Sequence, residues 1–445
     1  MTKDMTCGSP FKILFNFFIP LMFANLFQQF YNLADTIIVG RCINADALAA
    51  VGSTGSIGYF IIGFCLGTCS GFAIPIAKCF GAKDYENMHR YTANSIYIAG
   101  IMAVVFTIAA TLSCRTLLGL MHTNESVFED ADSYLFIIFL GIPAAMLYNL
   151  CAAIIRALGD SKTPLVFLII SSFVNILLDL FCISVLGLGV RGAAIATVSS
   201  QALSGLMCFV HLRRFDIMKI QKDEWNASLP HIKKLCYTGF PMGFQGSLIS
   251  IGSVIQQTAV NNLVQPLYIT AVTDASKIYF FLGGPFDSIG VALATFTSQN
   301  LGARKPDRIK TGLKDSLITG AVISVISGVI ILLFGRSIAH IFVNEPSDEL
   351  ISYIYTYLIW CAAFFISLSW LHIFKNIIQG LGYSNIALLG GFGEMLARII
   401  SAFFIIPVFG FTGLCASNVF SWILADLFLI PAYFFIIKKV KALFA

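Results

Sequence analysis

Long apolar runs separated by short polar or glycine-containing joints follow one another along the whole chain of 445 residues. Each run reaches or exceeds the roughly 20 residues that a helix needs to cross the hydrocarbon of a bilayer. The pattern therefore predicts an all-α polytopic membrane protein with twelve transmembrane helices. The predicted spans are 11–40, 46–79, 91–114, 127–157, 163–186, 190–212, 232–260, 267–299, 311–335, 347–380, 384–408 and 411–437.

The chain has too few charges to cover a water-exposed surface. Charged residues make up 11% of it and the mean hydropathy is +0.84, whereas soluble domains carry about 25% charged residues. Most of the surface is therefore expected to face lipid. The first apolar run starts at Phe11, contains Pro20 and lacks a small-residue cleavage site. We interpret it as the first span and not as a signal peptide.

Basic residues are concentrated in alternate joints. If the N-terminus is inside, 21 of the 28 Lys and Arg residues fall in inside segments, four in outside joints and three within spans. Cytoplasmic loops of membrane proteins carry such an excess. We predict a multi-pass protein of the cytoplasmic membrane of the cell, with both termini cytoplasmic. The net charge of +5 then lies beside anionic lipid of the bilayer, and it requires no nucleic acid as a partner.

The second half of the chain repeats the first at an offset of about 221 residues. For example, Gly81–Lys83 aligns with Gly302–Arg304. The repeat predicts two lobes of six spans each, 1–220 and 221–445. Because six is an even number, both lobes start on the same side, and a pseudo-twofold axis is expected along the membrane normal. Two six-helix bundles of this kind are typical of a secondary transporter that works by alternating access, which we expect to be a monomer.

Two acidic residues lie inside predicted spans of the first lobe, where a charge costs about 2.5–3.5 kcal/mol on insertion scales. Asp35 is in the first span, and Gln28 lies two helical turns earlier on the same face. Asn175 and Asp179 share a face of the fifth span, and Thr197 lies in the sixth. A carboxyl pair in apolar surroundings suits proton binding and release. With amide and hydroxyl oxygens around it, the same pair could hold Na⁺. The structural alternative is that Asp35, close to the outer joint, is hydrated.

The repeat singles out these acids because the second lobe lacks them. The counterpart of Asp35 is Gln256, and the counterpart of Asp179 is Ala402. Packing symmetry therefore does not require the carboxyl groups. Pro20 lies in the same span as Asp35 and is predicted to weaken the helix there, because proline has no N–H to donate and its ring clashes with the preceding turn.

Further ionisable residues lie inside spans of the second lobe. They fall into two helical pairs and two single positions: Asp274 with Lys277, Glu394 with Arg398, and Lys375 and Asp426. We predict that each pair is a structural ion pair. The single positions have no obvious local partner, and the sequence leaves their role open.

The sequence carries no recognisable catalytic or nucleotide-binding motif. Gly159–Thr163 lacks the preceding glycine of a phosphate-binding loop and is predicted to be a joint between spans. The twelve cysteines are scattered and form no CxxC pair, which favours neither a disulfide framework nor a zinc site. We expect a protein that is not an enzyme, has no cofactor and is driven by an ion gradient. The only metal considered is Na⁺ at Asp35, Asp179 and Asn175.

Several segments, taken in order, carry a family resemblance. They are Ala34–Gly40, Ala47–Gly52, Arg156–Pro164, Gly239–Pro241 with Gln245, Ala275–Ile278 and Ser298–Ala303. Together they resemble the multidrug and toxic compound extrusion (MATE) family, and the second-half pattern is most similar to its DinF-like branch. The resemblance covers nearly the whole chain.

The resemblance implies two six-helix bundles that export small organic cations and drugs in exchange for H⁺ or Na⁺. It also implies a set of ion-coupling residues in the first lobe and a bending proline in the first span. The matching positions are Gln28, Asp35, Asn175, Asp179 and Thr197, with Pro20 as the proline. Another branch of the family uses acidic residues in spans 7 and 10, where this chain has Gln245, Gln256 and Lys375. That departure favours coupling in the first lobe. No substrate-binding residue is assigned.

Two other functions stay open at this point. A lipid-linked oligosaccharide flippase of the same wider superfamily would need a basic cavity, and Lys277, Lys375 and Arg398 are the intramembrane bases that could line one. A membrane protein that does not transport, such as a receptor or an intramembrane enzyme, is the third alternative. The repeat and the lack of catalytic groupings argue against it.

The predicted orientation can be tested by cysteine labelling in intact cells. A cysteine introduced in the basic linker 213–234 should react with a membrane-impermeant maleimide only after the cells are opened, because the linker is predicted to be cytoplasmic. Labelling of this linker from outside would overturn the orientation.

Overall fold

The computed structural model describes residues 3–121, 123–261, 266–343 and 347–442, and all regular secondary structure within them is helical. The α-helices are α1 Pro10–Cys42, α2 Ala45–Ala82, α3 Tyr85–Leu120, α4 Glu125–Leu140, α5 Ile142–Ala157, α6 Lys162–Leu180, α7 Gly189–Arg213, α8 Leu229–Asn261, α9 Pro266–Gly302, α10 Pro306–Phe342, α11 Asp348–Ala363, α12 Phe365–Gly380, α13 Ser384–Ile400 and α14 Ile406–Ala442. Two π-helices, Phe181–Val185 and Ser401–Ile405, and two short 3₁₀-helices in the linker complete the set.

The helices follow the predicted spans closely. Eight helical stretches are long and apolar enough to cross a membrane, or ten if each of two bent helix pairs is one span. One of the eight stretches, 384–442, holds two predicted spans. The chain leaves helical geometry between these two spans, at Gly410 (φ 55°, ψ −129°). The helix α8 is not among the eight, although a span was predicted over 232–260.

Two predicted spans are broken in the middle. The span 127–157 consists of α4 and α5, bent by 45° at Gly141, and the span 347–380 consists of α11 and α12, bent by 52° at Phe364. At the first break Pro143 stands at the start of α5, where the missing N–H costs nothing because the first amides of a helix have no intrahelical acceptor. Each bend therefore begins a new helix without leaving the apolar region.

The chain divides into two compact units. The first contains the described residues of 1–4 and 23–247, and the second contains those of 5–22 and 248–445. The helices α1 and α8 thus each contribute one part to each unit. Each unit has its own apolar core, around Phe72 and Phe139 in the first and around Phe286 and Tyr357 in the second. The sequence boundary at 220/221 stays a prediction about the repeat.

The backbone of the two halves repeats at its unusual positions. Six of the eight described residues with positive φ form matching pairs: Lys83 (φ 59°) and Arg304 (φ 56°), Gly159 (φ 85°) and Gly382 (φ 85°), and Gly189 (φ 57°) and Gly410 (φ 55°). The two π-helices match in the same way. Positive φ is uncommon for lysine and arginine, so its recurrence at the end of α2 and of α9 supports the internal repeat that the sequence indicated.

The joint at Gly159–Thr163 has a structural role, as predicted. The Oδ1 of Asp160 accepts hydrogen bonds from the backbone amides of Lys162 and Thr163, both at 3.0 Å, at the start of α6. A Cβ at Gly159 would lie 2.0 Å from the carbonyl oxygen of Lys3, whose amide donates to Leu158 at 3.0 Å. Only glycine combines the positive φ with this close approach.

The linker after α7 is fixed to α3 within the first unit. The Nδ1 of His89 lies 2.9 Å from a carboxylate oxygen of Glu224, and its Nε2 lies 2.7 Å from the carbonyl oxygen of Ile217. Both ring nitrogens therefore face acceptors of the linker. Asn94 adds a bond to the amide of Ser228 at 3.0 Å. The basic linker is thus a docked segment with its own polar contacts.

In the first unit, α2 and the first part of α8 approach at backbone contact. A Cβ at Gly67 would lie 2.4 Å from the carbonyl oxygen of Met242, and one at Gly71 would lie 2.5 Å from the Cα of Gly239. From the other side, a Cβ at Gly243 would meet the Oγ1 of Thr68 at 2.4 Å. Each helix presents two glycines four residues apart, which is the small-residue spacing that lets membrane helices pack closely.

We predict that Gly71→Val destabilises the protein. The added side chain would meet backbone atoms that cannot rotate away, and overpacking of this kind costs about 1–3 kcal/mol or more. Thermal unfolding of the purified protein would show a lower transition temperature or loss of folded material.

The matched control is Gly100→Val in α3, where no atom lies within 4 Å of the added Cβ. It carries the same change in helix propensity without the clash. Equal destabilisation by both variants would show that helix propensity, and not the helix crossing, determines the loss.

Candidate functional site: an intramembrane carboxyl pair

The first unit brings the two predicted acids together. Asp35 lies on α1 and Asp179 lies near the end of α6, and their carboxyl groups are close enough to interact directly. Neither carboxylate can donate, so the contact becomes a hydrogen bond only when one of the two carries a proton. Two ionised carboxylates at this separation would repel each other strongly in apolar surroundings. The pair is therefore a place where a proton or a cation lowers the free energy.

The amide next to the pair is also left without a partner. Asn175 and Asp179 are completely buried, one turn apart on α6. Among the described residues, no hydrogen bond reaches either polar atom of Asn175, either carboxylate oxygen of Asp179 or the Oδ1 of Asp35. Buried polar atoms are normally paired, and leaving one unpaired costs about 1–3 kcal/mol. Five such atoms thus lie together at this site.

Two tyrosines that the sequence reasoning missed complete the cluster. The hydroxyl of Tyr31, one turn before Asp35 on α1, donates to the Oγ1 of Thr197 on α7 at 3.3 Å. Tyr31 and Tyr134 are both close enough to interact electrostatically with Asp35 and Asp179. Tyr134 lies on α4. Tyrosine is so common in membrane helices that neither residue stood out. The spacing of Tyr31 from Asp35 was the one available signal.

The remaining predicted residues lie at different distances from the pair. Thr197 reaches the cluster through Tyr31. Gln28 is half-buried and donates to the Oδ1 of Asn32 on its own helix at 3.4 Å, and no hydrogen bond within the described residues joins it to the acids. Pro20 is buried inside α1, which stays helical across it, and it belongs to the second unit. Its role as a hinge stays a prediction.

A π-helix begins two residues after Asp179. The segment Phe181–Val185 widens the turn there, and such segments occur often at functional sites. The second unit has the matching π-helix Ser401–Ile405, but the residue two positions before it is Ile399. Ala402, the counterpart assigned from the sequence, lies inside that π-helix. Whether the two halves are aligned by their π-helices or by their sequence, the counterpart of Asp179 is apolar.

The site has few acidic ligands for a metal. Within the described ranges, no three His, Cys, Asp or Glu side chains gather where they could hold a metal ion. A Na⁺ ion at the pair would therefore draw on two carboxylates together with the amide of Asn175 and a hydroxyl. Such an all-oxygen set suits a hard cation.

In the second unit, one predicted ion pair forms and the other does not. The Nζ of Lys277 lies 2.7 Å from the Oδ1 of Asp274. The prediction for Glu394 and Arg398 was wrong. Arg398 instead donates from α13 to the carbonyl oxygen of Ile249 on α8 at 3.2 Å and also bonds the Oγ of Ser253. The carbonyl of Ile249 also accepts from the Oγ of Ser253 at 3.0 Å, so Arg398 joins a polar contact on α8 instead of pairing with Glu394 on its own helix.

The single ionisable residues of the second unit have partners in the structure. Asp426 accepts a hydrogen bond from the Oγ of Ser367 at 2.7 Å. The Nδ1 of His372 lies 3.2 Å from the Oδ1 of Asp287 and 3.5 Å from the Nζ of Lys375.

The family model and the known proteins that this chain resembles are consistent with the fold described above. A family model described as MatE matches residues 20–181 and 241–420. The "Probable multidrug resistance protein YoeA" of Bacillus subtilis is 27% identical over 79% of this chain and 78% of its own length. The "Multidrug export protein MepA" of Staphylococcus haemolyticus is 21% identical over 92% of this chain and 90% of its own.

Solved structures match over nearly the full length. One, described as the outward-facing conformation of a multidrug resistance MATE family transporter, superposes with a TM-score of 0.92 at 22% identity, covering 98% of both chains. At this identity the match concerns the fold. The family model, by contrast, covers well over half of the chain in two blocks that follow the internal repeat. This chain therefore belongs to the MatE family of multidrug and toxic compound extrusion transporters.

Proposed function

We propose that this protein is an ion-coupled antiporter that exports organic cations by alternating access, and that the coupling ion binds at the Asp35–Asp179 pair. The single observation that carries the proposal is the close approach of two carboxyl groups, three of whose four oxygens find no donor among the described residues. Asp179 is completely buried and Asp35 is half-buried, and an ionised pair in such surroundings is unstable unless a cation joins it. A site that alternates between an occupied and an empty state is what coupling to an ion gradient requires.

A proton is the ion that the contact favours. One proton placed between Asp35 and Asp179 converts a repulsive contact into a short charge-assisted hydrogen bond, with no further ligand. Sodium would need several oxygen ligands at once. Among the described residues proposed for the site, only Asp35, Asp179 and Asn175 combine proximity with oxygens that have no hydrogen-bond partner. Sodium is therefore the second candidate, and the experiment below separates the two ions.

The helix α1 is the element through which we expect the ion to act. It carries Asp35 in the part that belongs to the first unit, and Pro20 in the part that belongs to the second. Proline weakens the helix locally because it donates no hydrogen bond. A charge change at Asp35 can therefore shift the balance between two arrangements of this helix, which is the differential stability that a population shift requires.

The substrate class comes from the relatives. Those reported above are named as multidrug resistance or multidrug export proteins, and another relative is named "FAD transporter". We propose small organic cations as the substrates of this chain. An anionic substrate such as a flavin nucleotide, or a lipid-linked oligosaccharide, is an outcome that the same transport assay would reveal.

The proposal predicts that Asp35→Asn and Asp179→Asn each reduce ion-driven efflux to below about a tenth of the wild-type rate. An amide cannot take up the proton that the cycle uses, and residues that act as a unit give non-additive losses. The double variant should therefore be little worse than either single variant. The measurement is export of a fluorescent cation from proteoliposomes with a pH gradient and a sodium gradient imposed separately.

The control for this experiment is Asp130→Asn, an exposed acid on α4 that removes the same charge. It should transport at the wild-type rate. Full transport by Asp35→Asn would remove the proposed coupling site. Transport that responds only to the sodium gradient would keep the site and change the ion.

The tyrosine cluster gives a second prediction. Tyr31→Phe deletes the hydroxyl that donates to Thr197, a neutral hydrogen bond that is typically worth about 1 kcal/mol. We expect a roughly fivefold change in the apparent affinity for the coupling ion, measured as the gradient needed for half-maximal efflux, with the maximal rate less affected. Tyr85→Phe, an exposed tyrosine on α3, is the control. An unchanged affinity in Tyr31→Phe would exclude the tyrosine from the site.

A further inference from the structure

A cleft in the second unit combines a basic rim with an apolar wall. It lies between the first turns of α10 and the last turns of α14 and has a volume of about 420 Å³. Four of its lining residues are lysines, two on each helix: Lys310, Lys314, Lys438 and Lys441. On each helix the lysines are separated by about one turn, so each pair faces the cleft from the same side.

The lysines are held close together without a matching anion. Lys310 on α10 and Lys441 on α14 both line the cleft and are close enough for their charges to interact. Asp307 lies near Lys441 and Asp315 lies next to Lys314, but neither forms an ion pair with a lysine of the cleft within the described residues. Two like charges brought together from different helices repel each other unless an anion lies between them.

The wall of the cleft suits a hydrocarbon chain. Leu313, Tyr433 and Ile437 form a buried floor, while Leu317 lies higher on α10 and Phe434 is 55% exposed. The polar end of the cleft is thus the lysine end, and the apolar end extends along both helices. A soluble anion would contact only the lysine end of the cleft.

We propose that this cleft binds an anionic phospholipid, with its phosphodiester between the lysines of the two helices and an acyl chain along the apolar wall. Lysine is a common ligand of phosphate, and basic pockets between membrane helices at the cytoplasmic face hold anionic headgroups. The assignment to the cytoplasmic leaflet rests on the predicted orientation. Binding itself depends neither on the orientation nor on the coupling site, so the two proposals can fail separately.

The test is native mass spectrometry of the full chain in detergent with added phosphatidylglycerol or phosphatidylcholine. We expect preferential retention of phosphatidylglycerol. K310Q/K441Q should weaken it by roughly 10- to 30-fold, because each lysine near an anionic lipid contributes about a fivefold factor. K310R/K441R, which keeps both charges, should retain it.

The matched control is K233Q/K439Q, which removes two exposed lysines that do not line the cleft. It should bind phosphatidylglycerol as the wild type does. If the double variant does not fold, the single variants K310Q and K441Q, expected to lose about fivefold each, provide the same comparison.

Three results would overturn the proposal. Equal losses in the control would show that diffuse surface charge attracts the lipid. Equal retention of phosphatidylcholine would show that the lysines play no part. Displacement of phosphatidylglycerol by millimolar inorganic phosphate would indicate a site for a free anion instead of a lipid.

Discussion

The high cost of an unpaired polar group in hydrocarbon governs this structure. A backbone amide or carbonyl without a partner costs several kcal/mol in lipid, which leaves helices as the way for this chain to cross. The same cost explains why Asp160 caps α6. Against this background, the unpartnered oxygens of Asp35 and Asp179 are exceptions, as is one carboxyl oxygen each of Glu394 and Asp426 in the second unit. Asp35 and Asp179 differ from these because two carboxyl groups approach each other. Exceptions to a costly rule are where function is expected.

The internal repeat separates what the fold needs from what the function needs. Backbone features recur in both halves, including the left-handed residues Lys83 and Arg304 and the two π-helices. Side-chain chemistry does not recur, because Asp35 aligns with Gln256 and Asp179 aligns with an apolar residue. A feature present twice belongs to the architecture. A costly feature present once, at a position where the duplicate folds without it, needs another explanation, and ion binding provides one.

Much of the fold could be predicted from the sequence, because span length and apolar composition are local properties. The positions of the helices and the repeat followed from them. The breaks at Gly141 and Phe364 did not, because a bent pair of short helices has the same composition as one long helix. The acids could be found because a charge in an apolar run is rare. Tyr134 could not, since it approaches the acids from α4, which is distant from both of them in the chain, and an aromatic residue in a membrane helix is ordinary.

Within the proposed mechanism, the position of α1 decides how a local charge can have a distant effect. Both units share this helix, and Asp35 and Pro20 lie in different units. An ion at Asp35 changes the free energy of only one part of α1. The rest of the helix responds only if the two parts are not rigidly joined, and a proline between them is the residue that weakens the joint. A rigid α1 would have to move as a whole, and its second part packs in the core around Leu14 and Phe18. The carboxyl pair and Pro20 therefore depend on each other: the pair supplies the difference in free energy, and the proline allows one part of the helix to respond to it.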